Sequence, residues 1–121
     1  MYQRGIRGAI TVKDNTIDAV KEAAIELMNN IIEKNKIEET QISHIIYTLT
    51  SDIDCVYPAK IVREAYPNWK YVPMMCVSEM AIKNSLSKCL RVLIVVNTEC
   101  AQNEIQHVYL RGAEKLRNDL K

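Results

Sequence analysis

The 121-residue chain is short of several things, and each shortage closes a class of function. It holds only three glycines, Gly5, Gly8 and Gly112, so no glycine-rich loop can cradle a phosphate. Its four cysteines, Cys55, Cys76, Cys89 and Cys100, stand 21, 13 and 11 residues apart and form no Cys-x-x-Cys pair. With His44 and His107 far apart in sequence, that spacing speaks against a structural zinc site. Nothing resembling a secretion signal precedes them, so buried free thiols are expected rather than a disulfide framework. The charges nearly cancel, 16 Lys and Arg against 15 Asp and Glu, with no dense basic run. A nucleic-acid binder would need a clustered positive excess. No stretch reaches the roughly 18 to 20 apolar residues of a membrane span. Repeats, low-complexity tracts and internal linkers are also missing. The expectation is a cytoplasmic protein with no membrane or nucleic-acid partner, folded as a single domain over residues 1–121, since 48% hydrophobic content supports one core and leaves little room for a second.

What is present points to a small acidic ligand. Arg7 interrupts an otherwise apolar opening strand, Arg4-Gly5-Ile6-Arg7-Gly8-Ala9-Ile10-Thr11-Val12. Arg91 does the same in Cys89-Leu90-Arg91-Val92-Leu93-Ile94-Val95-Val96, where period-two alternation puts it on one face with Leu93 and Val95. Read as buried, each guanidinium needs an anion, because an unpaired buried charge costs several kcal/mol and the planar fork suits a carboxylate. The carboxylate can belong to the protein or to a ligand. The ordinary reading of Arg91 is a structural ion pair with a glutamate such as Glu79. Cys76 alone reads as a small buried apolar residue, Tyr109 as packing, Glu79 as a surface acid, and Lys60 with Arg63 as a solvated basic face.

The periodicity predicts a mixed α/β sheet, with right-handed crossovers wherever strands run parallel. Residues 2–12 form a first strand in which Gly5 and Gly8 signal a bulge or a close backbone approach. Asn15 or Thr16 caps an amphipathic helix to about residue 35, with Asp18 in its first turn and Ile17, Val20, Ala24, Leu27, Met28 and Ile31 on its apolar face. Residues 40–50 give a second strand, and Pro58 opens a short helix to about Tyr66. Residues 71–77 give a third strand that Pro73 confines to an edge or bulge. Residues 89–97 form the strongest strand, 102–106 one helical turn, and 107–111 a short strand. Residues 112–121 are polar enough to form a helical tail or to fray.

Six motifs carry a resemblance that composition could not supply: Arg4-Gly5-Ile6-Arg7-Gly8-Ala9, Tyr57-Pro58-Ala59-Lys60-x-Val62-Arg63-Glu64, Trp69-x-Tyr71-Val72-Pro73, Cys76-x-x-Glu79-Met80, Lys88-Cys89-x-Arg91-Val92 and His107-Val108-Tyr109-Leu110. In this order and at these spacings they resemble the monofunctional AroH-class chorismate mutases nearly end to end. The resemblance implies a trimeric pseudo α/β barrel with three active sites at the subunit clefts. It further implies the Claisen rearrangement of chorismate to prephenate in phenylalanine and tyrosine biosynthesis, with no metal, cofactor or covalent intermediate. By resemblance Arg91 donates to the ether oxygen and a carboxylate, Arg7 binds the side-chain carboxylate with help from Tyr109, and Glu79 accepts from the ring hydroxyl with Cys76 at the same end. Tyr57, Ala59, Lys60, Arg63, Met74 and Met75 would line the cleft from the neighbouring subunit or its rim, and Leu116 is counted with the substrate-binding set. Two positions depart from the pattern: Tyr57, where phenylalanine is frequent, and Met74, where a smaller polar residue is common. Two other functions remain compatible with such a pocket. One is an imine deaminase of similar trimeric architecture, and the other a catalytically silent protein that binds chorismate or prephenate. An acid set opposite the cation, as in Arg91 with Glu79, disfavours both.

Overall fold

The computed structural model describes residues 1–117. Five strands form one mixed sheet: β1 (Tyr2–Thr11), β2 (Ile42–Leu49), β3 (Met74–Ser78), β4 (Cys89–Thr98) and β5 (Val108–Leu110), in the order β3-β2-β4-β1-β5. β4 lies antiparallel to both β1 and β2, whereas the outer pairs β2–β3 and β1–β5 are parallel. Two helices, α1 (Ile17–Asn35) and α2 (Pro58–Ala65), supply the second layer.

Local chemistry sets the ends of these elements. Thr16 is the N-cap of α1, its hydroxyl accepting from the Ala19 amide at 3.2 Å, and Lys36 closes the helix in the left-handed region at φ 52°. Pro58 occupies the first turn of α2, where a missing amide hydrogen costs nothing. The third strand starts at Met74 rather than 71. Proline has no amide to donate, and residues just before it close a 3₁₀ turn (Pro67–Trp69) through the Val72 amide to the Trp69 carbonyl. The Pro73 carbonyl still accepts from Ile45, and β3 is an edge strand, as the proline demanded.

The sheet has two different faces. Ile6, Ile10, Ile45, Tyr47, Leu90, Val92 and Ile94 form the core with Val20, Leu27, Met28 and Ile31 of α1 and Ile61 and Val62 of α2. Gly8 permits this packing, since a Cβ there would lie 2.6 Å from the Ile31 Cδ1. The close approach that this glycine signalled is therefore helix on strand, and the sheet's one register shift lies between Ile42 and His44 of β2. At the α2 end, Trp69 is buried and stacks on Tyr66 with ring centroids 4.7 Å apart, while the Tyr66 hydroxyl meets Asn29 of α1.

Among the described residues no helix covers the other face, and only a 3₁₀ turn (Arg111–Lys115) closes over one end of it, burying Ala113 against Ala9 and Cys89. Of the helical or frayed tail expected over residues 112–121, the described part begins within this 3₁₀ turn, and residues 118–121 lie outside the described residues. Among the described residues no helix is long and apolar enough to cross a membrane.

Candidate active site

Strand register assembles the site on the uncovered face. Thr48 of β2 stands opposite Arg91 of β4, Arg91 opposite Ala9 of β1, and Ala9 opposite Tyr109 of β5. One row across four strands therefore reads Thr, Arg, Ala, Tyr. The short alanine between two long side chains leaves a hollow. Arg7, two residues from Ala9 on the same face, is a diagonal neighbour of Arg91, a relation that places such residues about 7–8 Å apart. The resulting cavity has a volume of about 350 Å³ and is lined by Arg7, Ile46, Thr48, Glu79, Arg91, Leu93, Tyr109, Leu116 and Arg117.

Both arginines differ from the burial expected of them. Arg7 is exposed and the Arg91 side chain is 40% exposed, because their face is the one the helices leave open. Arg91 does share that face with Leu93 and Val95, themselves only half-buried. Its Nε lies 3.2 Å from Glu79 Oε1, so the two form an ion pair. The same Nε is nevertheless buried with no directed hydrogen-bond acceptor among the described residues. The pair is held by charge, and the N–H keeps its capacity to donate. Thr48 explains the orientation, since its hydroxyl donates to the same Glu79 oxygen at 2.5 Å. The Glu79 amide reaches the Leu49 carbonyl at 3.3 Å, which fixes the residue just past the end of β3.

The Arg7 backbone is held from the other side. Its amide donates to Nδ1 of His107 at 3.0 Å, so the imidazole continues the β1–β5 ladder one residue beyond the start of β5. Burial, then the Arg7 and Arg117 charges, hold the His107 pKa below its ordinary value.

Of the residues expected at the site, Arg7, Glu79, Arg91, Tyr109 and Leu116 come together in the hollow. The others lie elsewhere in the chain. Cys76, expected at the Glu79 end, faces the opposite side, because period two along β3 groups Met74 and Cys76 with Tyr47 and puts Met75 and Val77 on the open face. Cys76, Tyr57 and Lys60 line a second cavity of about 600 Å³ between the end of β2 and the start of α2. Met74 is half-buried, its sulfur accepting from the Tyr47 hydroxyl at 3.6 Å. Ala59 belongs to the core, whereas Arg63, Met75 and Tyr57 are exposed, so the additional hydroxyl of Tyr57 meets solvent. Sequence reasoning missed Thr48 and Arg117. Thr48 carried a faint signal, a polar position after the apolar run Ile45-Ile46-Tyr47 of β2.

A mixed sheet covered on one side, with three arginines, a glutamate and a tyrosine around a hollow on the other, defines a small α/β protein whose open face suits a compact anion. The chain belongs to the chorismate mutase type I family, matching it over residues 3–120. It is 40% identical to the chorismate mutase AroH of Bacillus subtilis over 99% of this chain and 94% of that protein. It is 38% identical to the AroH of Thermus thermophilus over 97% and 95%. The solved chorismate mutase from Clostridium thermocellum superposes with a TM-score of 0.86 at 42% identity, covering 91% of this chain and 96% of that one.

Proposed function

We propose that this chorismate mutase, an isomerase of aromatic amino acid biosynthesis, rearranges chorismate to prephenate in the hollow on the open sheet face. The carrying observation is the buried Arg91 Nε–H, 3.2 Å from Glu79 yet without a directed acceptor, beside a second guanidinium on Arg7. Chorismate is a dicarboxylate, and in the rearrangement its ether C–O bond breaks while a C–C bond forms. Negative charge gathers on the ether oxygen and the ring turns electron-poor. Arg91 donates to that oxygen, where a fixed donor stabilises the transition state more than the ground state. Glu79 faces the electron-poor ring and accepts from its hydroxyl. Arg7, with the Tyr109 hydroxyl, holds the side-chain carboxylate, and the hollow selects the folded conformer that brings the reacting carbons together. No proton moves and no cofactor takes part.

The active form is a homotrimer whose clefts are shared between subunits. Met75, Val77, Met80 and Ile82 are all exposed on or just after the edge strand β3, an apolar surface that a free monomer would present to water. Assembly would also bring the Tyr57, Lys60 and Cys76 group of one subunit toward the arginines of the next. Four free thiols fit a reducing, cytoplasmic location.

Mixing the purified protein with chorismate tests the reading. Ultraviolet absorbance falls at a rate proportional to enzyme, prephenate accumulates, and kcat stays nearly flat from about pH 6 to 9 because no acid or base turns over. Absence of prephenate, or a single steep ionisation in kcat while the protein stays folded, overturns it.

A further inference from the structure

Arg111 adopts a conformation that disfavours it. Its φ is 54°, in the left-handed region where a side chain is penalised and glycine is the usual occupant. A glycine does come next, but at 112, and for space: a Cβ there would lie 2.9 Å from the Thr11 Cγ2. The chain thus keeps a long side chain at the strained position, and the contacts of that side chain have to offset the strain. Nη2 lies 2.9 Å from Glu26 Oε1 and 3.4 Å from Glu22 Oε1, both on α1, while Nη1 donates to the Thr11 carbonyl of β1 at 3.3 Å. The next amide, Gly112 N, donates to the Thr11 hydroxyl at 3.1 Å. One guanidinium therefore ties the end of β5 to α1 and β1 together.

Immediately C-terminal to that tie the chain forms the rim of the active-site hollow. Ala113 is fully buried beside Ala9 and Cys89, the Leu116 amide reaches the Ala113 carbonyl at 3.0 Å, and Leu116 and Arg117 line the cavity. We propose that Arg111 and Glu26 form a latch that positions this C-terminal rim for substrate binding, Arg111 itself touching no reacting atom. The proposal rests on the hollow being the chorismate site. It makes Arg111 and Glu26 positioning residues, whose loss weakens binding and leaves the chemical step alone.

Two variants separate the ion pair from the turn. Glu26→Gln removes the charge on a half-exposed helix position and keeps the shape. Arg111→Gly relieves the left-handed backbone while deleting the guanidinium. Both should raise KM about three- to fivefold, the scale of one partly exposed ion pair, with kcat within about twofold of the wild type. Adding Leu116→Ala to Glu26→Gln should give less than the product of the separate effects, because both act through one rim. Amide hydrogen exchange read by mass spectrometry should quicken over residues 112–117 in both variants and stay unchanged in β4. Unchanged exchange in the two variants overturns the latch. So does an unaltered KM where the wild type turns over chorismate, or an Arg111→Gly enzyme with wild-type KM and exchange, which would show that only the backbone shape matters. A wild type with no turnover would instead refute the reading of the hollow, and the exchange comparison then decides the latch by itself.

Discussion

Arg91 and Arg7 stand about one diagonal apart on the sheet, yet their surroundings differ, and so does the work proposed for them. Arg91 is set against Glu79, which Thr48 orients, and its Nε is buried; Arg7 is exposed at the mouth. Replacing Arg91 by glutamine should therefore lower kcat by at least roughly 10²–10³, the loss typical of one preorganised donor, with a smaller change in KM. Arg7→Gln should raise KM at least as much as it lowers kcat, since a carboxylate keeps its charge throughout the reaction. Steady-state kinetics on both folded variants decide: a near wild-type kcat with only a raised KM in Arg91→Gln would reject its transition-state role. At this scale the charged residues were legible because a guanidinium in an apolar strand is conspicuous whatever the fold. Thr48 was not, because its contact to Glu79 depends on the pairing of β2 with β4 and on where β3 ends. Burial was misjudged for the same arginines. Alternation reveals that a strand has two faces, but a sheet face rich in Leu93, Val95 and Ile46 reads as core whether a helix or another molecule covers it.

Elements were legible where one physical rule dominates. The cap at Thr16, the proline opening α2, the edge placement forced by Pro73 and the close approach at Gly8 each follow from the chemistry of a single residue. Gly8→Ala tests the last of these. Its added methyl would meet the Ile31 Cδ1 at 2.6 Å, the Val92 Cγ1 at 3.1 Å and the Leu27 Cδ1 at 3.2 Å, so the Ile31 side chain must turn aside or α1 ease away from β1. Overpacking of this kind costs about 1–3 kcal/mol, to be read as a lower urea midpoint with an unchanged slope. The β1–β5 junction gives a pH dependence. His107 accepts from the Arg7 amide, and its folded pKa lies below the ordinary 6.5, chiefly through burial and then through Arg7 and Arg117. The folded protein thus takes up this proton less readily than the unfolded chain. The stability contribution is complete above about pH 6.5 and is lost as the pH falls from there toward the lowered folded value. Urea midpoints measured between pH 7 and 5 should decline, and His107→Asn, whose amide oxygen can accept from Arg7 but does not titrate, should flatten that part of the decline. An equal decline in the variant would assign it to other groups.

For the whole molecule, the expected site residues lie in separate places, five around the hollow on the open face and Tyr57, Lys60 and Cys76 at the cavity beside α2, and this is what sequence could not convey. The motifs containing Tyr57, Lys60 and Cys76 were recognisable, but motifs do not state whether two residues meet within a chain or between chains. The exposed Met75, Val77, Met80 and Ile82 fit a subunit interface, and the trimer that the resemblance implies should sediment at about three times the 13.9 kDa chain mass. A fully active 13.9 kDa species would sink the shared-cleft arrangement.

Trp69 is the chain's single tryptophan, 4% exposed and stacked on Tyr66 in the turn that follows α2. It lines neither the arginine hollow nor the cavity beside Tyr57. Intrinsic emission from this protein is consequently a gauge of one thing. It tracks the seating of the Pro67–Trp69 turn against α1 through Tyr66 and Asn29, and should shift when the core opens in denaturant. Ligand in the hollow should leave that indole's surroundings as they were, so a fluorescence titration is expected to be silent where a calorimeter registers heat.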